Sequence, residues 1–262
     1  MCRNRNHREK DNPMSMKSTS RAYDEEEFQT FIFNKTQQFK NDVRNHLSKN
    51  LTVSKITGLA FVSIPVSEPT QIIDLGGGAG LDFYISRELF NSPQKWICLE
   101  TEAMCEVLNK KRFKEENLSF ETPSKFLNSV QIGLDFCLYS NSALQYMSDP
   151  IGTLDSFLIK RPRRVAIIRT PLVISGVDVR LLQKSHLEKN GPQVDEFYGE
   201  QKEIVISARI ERLESIKKLF NRHGYQIVCE NIQEGSFTHK NKFPRFRENA
   251  IKTVDLLAWR ID

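Results

Sequence analysis

From position 71 onward the chain alternates short apolar runs with helix-length segments. The runs fall at 71–75, 95–99, 118–120, 134–139, 164–168, 225–232 and 253–260. Alternation of this kind predicts βαβ units and a mostly parallel sheet, because a parallel strand pair needs a crossover long enough to hold a helix. Asp149-Pro150 predicts an N-cap and first helical position, followed by Ile151, Leu154 and Leu158 on one face. Ile210, Leu213, Ile216 and Phe220 repeat at helical spacing up to Gly224, a C-cap residue. Before the sheet, Phe28, Phe31, Ile32, Phe39, Val43 and Leu47 predict one or two amphipathic helices between 24 and 47. Residues 51–69 mix apolar and polar positions and predict no definite element. Residues 171–203 are polar, contain Gly191-Pro192, and read as an insertion near the substrate. The pattern gives an α/β, Rossmann-like fold: a seven-stranded, mostly parallel sheet with helices on both faces. A lead-in at 1–22 and a helical cap at 23–68 precede a domain at 69–262, interrupted at about 171–203.

Composition narrows the setting. The mean hydropathy is −0.46, and no run approaches the roughly 18 apolar residues that cross a bilayer. Residues 1–21 are rich in Arg, Lys, Asn and Ser with no apolar stretch, so they fail as a secretory signal and read as disordered. Cysteines at 2, 98, 105, 137 and 229 include no C-x-x-C pair, which argues against a zinc site or a disulfide framework and favours a reducing cytoplasm. Cys98 and Cys137 lie in apolar runs and read as buried hydrophobes. The net charge of +5 gathers in the lead-in, in Lys160-Arg161-Pro162-Arg163-Arg164, and from His239 through Arg247. These runs are solvated loops or attractors of a phosphorylated or acidic substrate. They lack aromatics interleaved in a recognisable RNA- or DNA-binding motif, which makes nucleic acid the weaker candidate.

The sharpest local signal is Ile72-Ile73-Asp74-Leu75-Gly76-Gly77-Gly78-Ala79-Gly80, an apolar strand ending in an acid and a glycine-rich turn. Glycine permits close approach of a ligand to the backbone. A dinucleotide fingerprint G-x-G-x-x-G would need glycine at 81 or 83, where Leu81 and Phe83 stand. An acid-x-G-x-G-x-G spacing is met instead, at 74, 76, 78 and 80, and suits a cofactor with an amino-acid tail and no phosphate. Asp74 is then placed to accept from that tail's ammonium. Glu100 ends the next strand, where a carboxylate accepts ribose hydroxyls. After the fourth strand, Tyr139 through Pro150 occupies the carboxyl edge of the sheet, where ligands of open α/β folds lie.

These segments resemble a group of class I S-adenosyl-L-methionine-dependent methyltransferases encoded in bacterial polysaccharide and lipopolysaccharide biosynthesis loci. The shared features are an acid and double glycine after the first strand, W-x-x-x-E on the second, S-x-x-L-Q-Y-x-x-D-P after the fourth and R-T-P after the fifth. Here they stand as Asp74 with Gly76 and Gly77, Trp96 with Glu100, Ser140 to Pro150 with a serine offset longer by one, and Arg169-Thr170-Pro171. The resemblance covers 70–232. It departs at Ile168, where the group has an aspartate. It implies O-methylation of a sugar or glycan precursor, with S-adenosyl-L-methionine held by Asp74, Gly76, Gly77, Gly78, Gly80, Glu100 and Ser140.

Methyl transfer is an in-line displacement that needs alignment more than strong acid or base chemistry. No histidine falls in the resembling segments. Of His186, His223 and His239, only the first lies in the insertion. Gln145 and Tyr146 are the expected catalytic residues, and Arg169 and Thr170 the expected substrate contacts, the arginine suiting a phosphate or carboxylate. The competing reading is a catalytically degenerate methyltransferase fold that binds without turnover.

Overall fold

The computed structural model describes residues 21–64, 70–91, 94–131, 134–195, 202–233 and 250–261; the lead-in before 21 and the basic run from His239 to Arg247 lie outside them. The described strands are β1 (Gln71–Leu75), β2 (Trp96–Leu99), β3 (Leu118–Glu121), β4 (Phe136–Asn141), β5 (Arg164–Ser175), β6 (Val179–His186), β7 (Glu203–Ile210), β8 (Tyr225–Gln233) and β9 (Ala250–Arg260). The helices are α1 (Arg21–Asp24), α2 (Glu26–Asn41), α3 (Val43–Asn50), α4 (Val53–Ser63), α5 (Leu81–Phe90), α6 (Glu102–Lys110), α7 (Pro123–Ser129), α8 (Pro150–Ile159) and α9 (Leu213–Arg222). Single 3-10 turns follow at Leu144–Tyr146 and Leu187–Lys189.

Seven strands form one sheet in the order β3-β2-β1-β4-β5-β9-β8. β1 to β5 pair in parallel, and β9 runs antiparallel to both its neighbours. This is the Rossmann-like, seven-stranded and mostly parallel sheet that the sequence predicts. The order reverses between β1 and β4, which opens a crevice at their carboxyl ends. One face is covered by α4 and α5, through Leu59, Val62, Phe83 and Tyr84 on Ile72, Tyr139 and Ile168. The other is covered by α7, α8 and α9, through Phe126, Phe157 and Phe220 on Ile73, Leu138 and Ile167. Cys98 and Cys137 are buried in the first layer. None of the described helices is long and apolar enough to cross a membrane.

Four expectations need correction. β5 continues past Ile168 to Ser175, because β9 starts at Ala250 and supplies partners for 170–175. The insertion therefore begins later, and it is a two-stranded hairpin, β6 against β7. Ile210 belongs to β7, with α9 starting at Leu213. Asp149 occupies the N-cap position of α8 without a side-chain capping bond; its backbone carbonyl accepts from Thr153 N at 2.9 Å instead.

The run from Lys160 to Arg164 sits at the amino edge of β5, away from the crevice. Arg163 Nε meets Asp135 at 3.0 Å, and Arg164 Nη1 donates to the carbonyls of Phe61 and Ile64, the latter at 3.0 Å. Those cations fasten α4 and the β4 entry to the sheet; they do not face the crevice.

Candidate functional site

The turn after β1 takes its shape from glycine. Gly76, Gly78 and Gly80 have φ of +78°, +59° and +88°, a region L side chains rarely enter. A Cβ at Gly76 would collide with Ala143, and one at Gly80 would stand 2.7 Å from Leu118 Cδ2. At Gly78 a Cβ would meet nothing closer than Ile32 at 3.8 Å, since the turn there opens onto a cavity. Glu100 Oε1 accepts from Gly78 N at 2.6 Å and Oε2 from Thr101 N at 3.1 Å, so the ends of β1 and β2 are tied together. Burial raises the Glu100 carboxyl above its usual range, with these two amides opposing. Asp74 is fully buried and accepts from Trp96 Nε1 at 3.1 Å; burial first, then the neighbouring Asp82 charge, pushes its carboxyl well up.

The cavity, about 380 Å³, lies over this turn at the carboxyl ends of β1, β2 and β4. Tyr23, Phe28 and Gln29 from α1 and α2 wall one side, and Asn190 to Gln193 roof it. Hydrogen bonds from α3 and α2 hold the roof in place. Asn50 Nδ2 donates to Gln193 O at 2.7 Å, and Gln193 N donates to Asn50 Oδ1 at 2.8 Å. Lys35 Nζ reaches the carbonyls of Glu188 and Asn190 at 3.0 and 2.8 Å, and burial brings its ammonium down to about 8. Gly191, at φ +74°, lets the roof pass beside Ile32.

A charged cluster forms the floor beyond the glycine turn. Lys55 Nζ lies 2.9 Å from Asp82 Oδ1, both side chains buried. Asp82 Oδ2 also accepts from Tyr139 OH at 2.9 Å and Asn141 Nδ2 at 2.7 Å. Burial would push this carboxyl up, but Lys55 and the hydrogen bonds from Asn141 and Tyr139 prevail and hold it below the usual range. Lys55 reaches the floor from the first turn of α4, whose N-cap Thr52 accepts from Lys55 N at 3.1 Å.

No family model matches the chain, and no curated protein matches it. Among solved structures it is similar to the glycopeptide N-methyltransferase MtfA complexed with sinefungin, at 10% identity and TM-score 0.47 over 80% of this chain and 86% of that one. The Burkholderia thailandensis 1,6-didemethyltoxoflavin-N1-methyltransferase, with 1,6-didemethyltoxoflavin and S-adenosylhomocysteine bound, is similar at 12% and 0.45 over 90% of each chain. So is the [4+2]-cyclase SpnF, at 11% and 0.47 over 79% of this chain and 80% of that one. Likeness at this level assigns neither a reaction nor a substrate.

Of the residues expected at the site, Asp74, Gly76, Gly77, Gly78, Glu100 and Arg169 line the cavity. Gly80 stands behind it as the N-cap of α5. Ser140 Oγ donates to Leu75 O at 3.1 Å and knits β4 to β1. Gln145 Nε2 folds back onto Ser142 O at 2.8 Å, and Tyr146 OH donates to Gln183 Oε1 at 3.2 Å with its ring 5.4 Å from Tyr23. Both lie outside the cavity wall, Tyr146 behind Tyr23. Thr170 Oγ1 donates to Ile168 O at 3.2 Å. His186 is exposed beside Glu188, and His223 meets Asp155 at 2.6 Å, so neither faces the cavity. Sequence reasoning passed over Lys55, Asp82, Asn50 and Tyr23. Of these only Asp82, two residues past the glycine run in the first turn of a helix, carried a local signal.

Proposed function

We propose that this chain is an S-adenosyl-L-methionine-dependent methyltransferase acting on a sugar or glycan precursor. One observation carries the cofactor reading: two carboxylates, Asp74 and Glu100, stand at the ends of adjacent parallel strands and flank a glycine turn open to a cavity of ligand size. The residues fit the group. Gly78 leaves the backbone uncovered, Glu100 offers acceptors where a ribose would lie, and Asp74 offers one for an ammonium. When bound, the cofactor supplies an electrophilic methyl on a sulfonium. The chain's own part is alignment and exclusion of water: Tyr23, Phe28 and the Asn190 to Gln193 roof close the cavity from two sides. The sugar acceptor rests on the motif resemblance, and the cytoplasmic setting on cysteine usage.

A second reading, binding without turnover, is favoured by the state of the wall carboxylates. Asp74 is engaged by Trp96, Asp82 by Lys55, and Glu100 by two amides, which leaves no free carboxylate among the described wall residues to take an acceptor's proton.

Calorimetry with S-adenosylhomocysteine tests the cofactor: the parent chain binds, and Asp74→Ala and Gly78→Val each abolish binding. Unchanged affinity in both variants refutes the assignment. Label transfer from methyl-labelled cofactor to sugar nucleotides, lipid-linked sugars or polysaccharide fractions separates turnover from binding alone.

A further inference from the structure

Arg169 stands in a β-bulge. Between Ile167↔Leu256 and Thr170↔Val254, β5 advances three residues while β9 advances two, so Ile168 and Arg169 together oppose the single residue Asp255. Arg169 has φ +51°, a left-handed conformation that a side chain with a Cβ resists. Its N–H leaves the strand ladder and donates to Asp255 Oδ1 at 2.7 Å. Asp255 Oδ2 is fixed in turn by Ser54 Oγ at 2.7 Å and Asn231 Nδ2 at 2.9 Å. Bulges re-aim side chains, and strained backbone concentrates at functional sites. This one turns Arg169 to the cavity wall. Of the other cations lining the cavity, Lys55 is committed to Asp82 and Lys49 to Asp195, and Lys189 comes from the 3-10 turn Leu187–Lys189; the Arg169 guanidinium, which the bulge alone re-aims, has no hydrogen-bond or ion-pair partner among the described residues.

We propose that the acceptor carries an oxyanion, a phosphoryl or carboxyl group, gripped by Arg169, and that Asp255 is the positioning residue that holds Arg169 in its bulge. This rests on the methyltransferase reading and specifies its substrate. A planar guanidinium matches two oxygens of such a group with parallel hydrogen bonds, a geometry that lysine lacks.

The test titrates the full chain calorimetrically with inorganic pyrophosphate, with glucuronate and with glucose as the neutral control, each without and with saturating S-adenosylhomocysteine. At least one anion binds and glucose does not; pyrophosphate or glucuronate identifies the oxyanion. Arg169→Ala and Arg169→Lys each lower anion affinity by about tenfold or more, as loss of a charged bidentate contact implies. Arg169→Gly, which suits the left-handed backbone, loses the anion without lowering the melting temperature. Asp255→Ala weakens anion binding although Arg169 remains. Asp255→Asn, which keeps an oxygen facing Arg169 N, restores it, and this recovery marks positioning as its role. The proposal is overturned if neither anion binds, if Arg169→Ala leaves anion affinity unchanged, or if Arg169→Ala weakens S-adenosylhomocysteine as much as the anion, since Arg169 would then serve the cofactor. Failure of the parent chain to bind S-adenosylhomocysteine would sink the methyltransferase reading by itself, while the titrations without it still decide Arg169.

Discussion

Lys55 and Asp82 are a buried pair whose partners come from α4 and α5, and burial makes each dependent on the other. Removing one partner leaves an uncompensated charge at a cost of about 3 to 5 kcal/mol, more than the pair itself contributes. Lys55→Met is expected to lose stability on that scale in urea denaturation, and Lys55→Met with Asp82→Asn to recover much of it. A loss under about 1 kcal/mol in the single variant would show that the pair does not hold α4. The two buried acids have opposite pH signatures. Asp82, depressed in the fold, contributes stability above the ordinary carboxylate range that is lost as pH falls through its folded value. Asp74, raised in the fold, favours folding at low pH and loses that contribution as pH rises toward its folded value. An ammonium set against Asp74 favours its ionised form. Binding of S-adenosylhomocysteine is therefore expected to release a proton and to tighten as pH rises, which calorimetry in buffers of different ionisation enthalpy measures. Affinity that weakens with rising pH through that range would remove Asp74 from the ammonium.

At the scale of elements, the parallel strands were legible because β1, β2, β4 and β5 are buried on both faces and read as continuous apolar runs. α4 was not. Its Val53-Ser54-Lys55-Ile56-Thr57-Gly58 start is poor in helix formers and has no clean polar stripe, and its helix follows from packing: a Cβ on Gly58 would touch Ile168 Cγ2 at 2.9 Å. The same contact accounts for Ile168 where the resembling group has an aspartate, since the position faces an apolar helix. β6 escaped notice because its inward positions include Gln183 and Ser185. The glycine turn was legible in sequence, being local, whereas the roof joins residues some 140 apart. Asn50→Ala removes both hydrogen bonds of the Asn50–Gln193 pair and is expected to cost about 1 to 3 kcal/mol locally. Stopped-flow measurement should show faster S-adenosylhomocysteine release with little change in melting temperature; an unchanged release rate would mean the roof does not gate the cavity.

For the whole molecule, the described chain enters at the cavity. Tyr23 lies against Phe28 and Tyr146, and its backbone carbonyl accepts from Gln29 and Thr101. Deleting residues 1–20 is expected to leave folding and cofactor affinity intact, since that stretch has few apolar residues to join a core. Deleting 1–25 also takes Tyr23 from the wall and should weaken S-adenosylhomocysteine. Equal affinities for the two truncations would show that Tyr23 does not contact the cofactor. At the other end, Asp255 accepts from Ser54, 201 positions earlier, and it belongs to β9, the last of the described strands in chain order. A chain made from its amino terminus must therefore hold α4 and the Arg169 bulge unfinished until β9 has been synthesised. Contacts so distant in sequence close slowly. A nascent chain stopped before β9 would carry the glycine turn, Asp74 and Glu100, yet lack Asp255, the acceptor of the Arg169 N–H, so the bulge that aims Arg169 takes shape only after β9 has emerged.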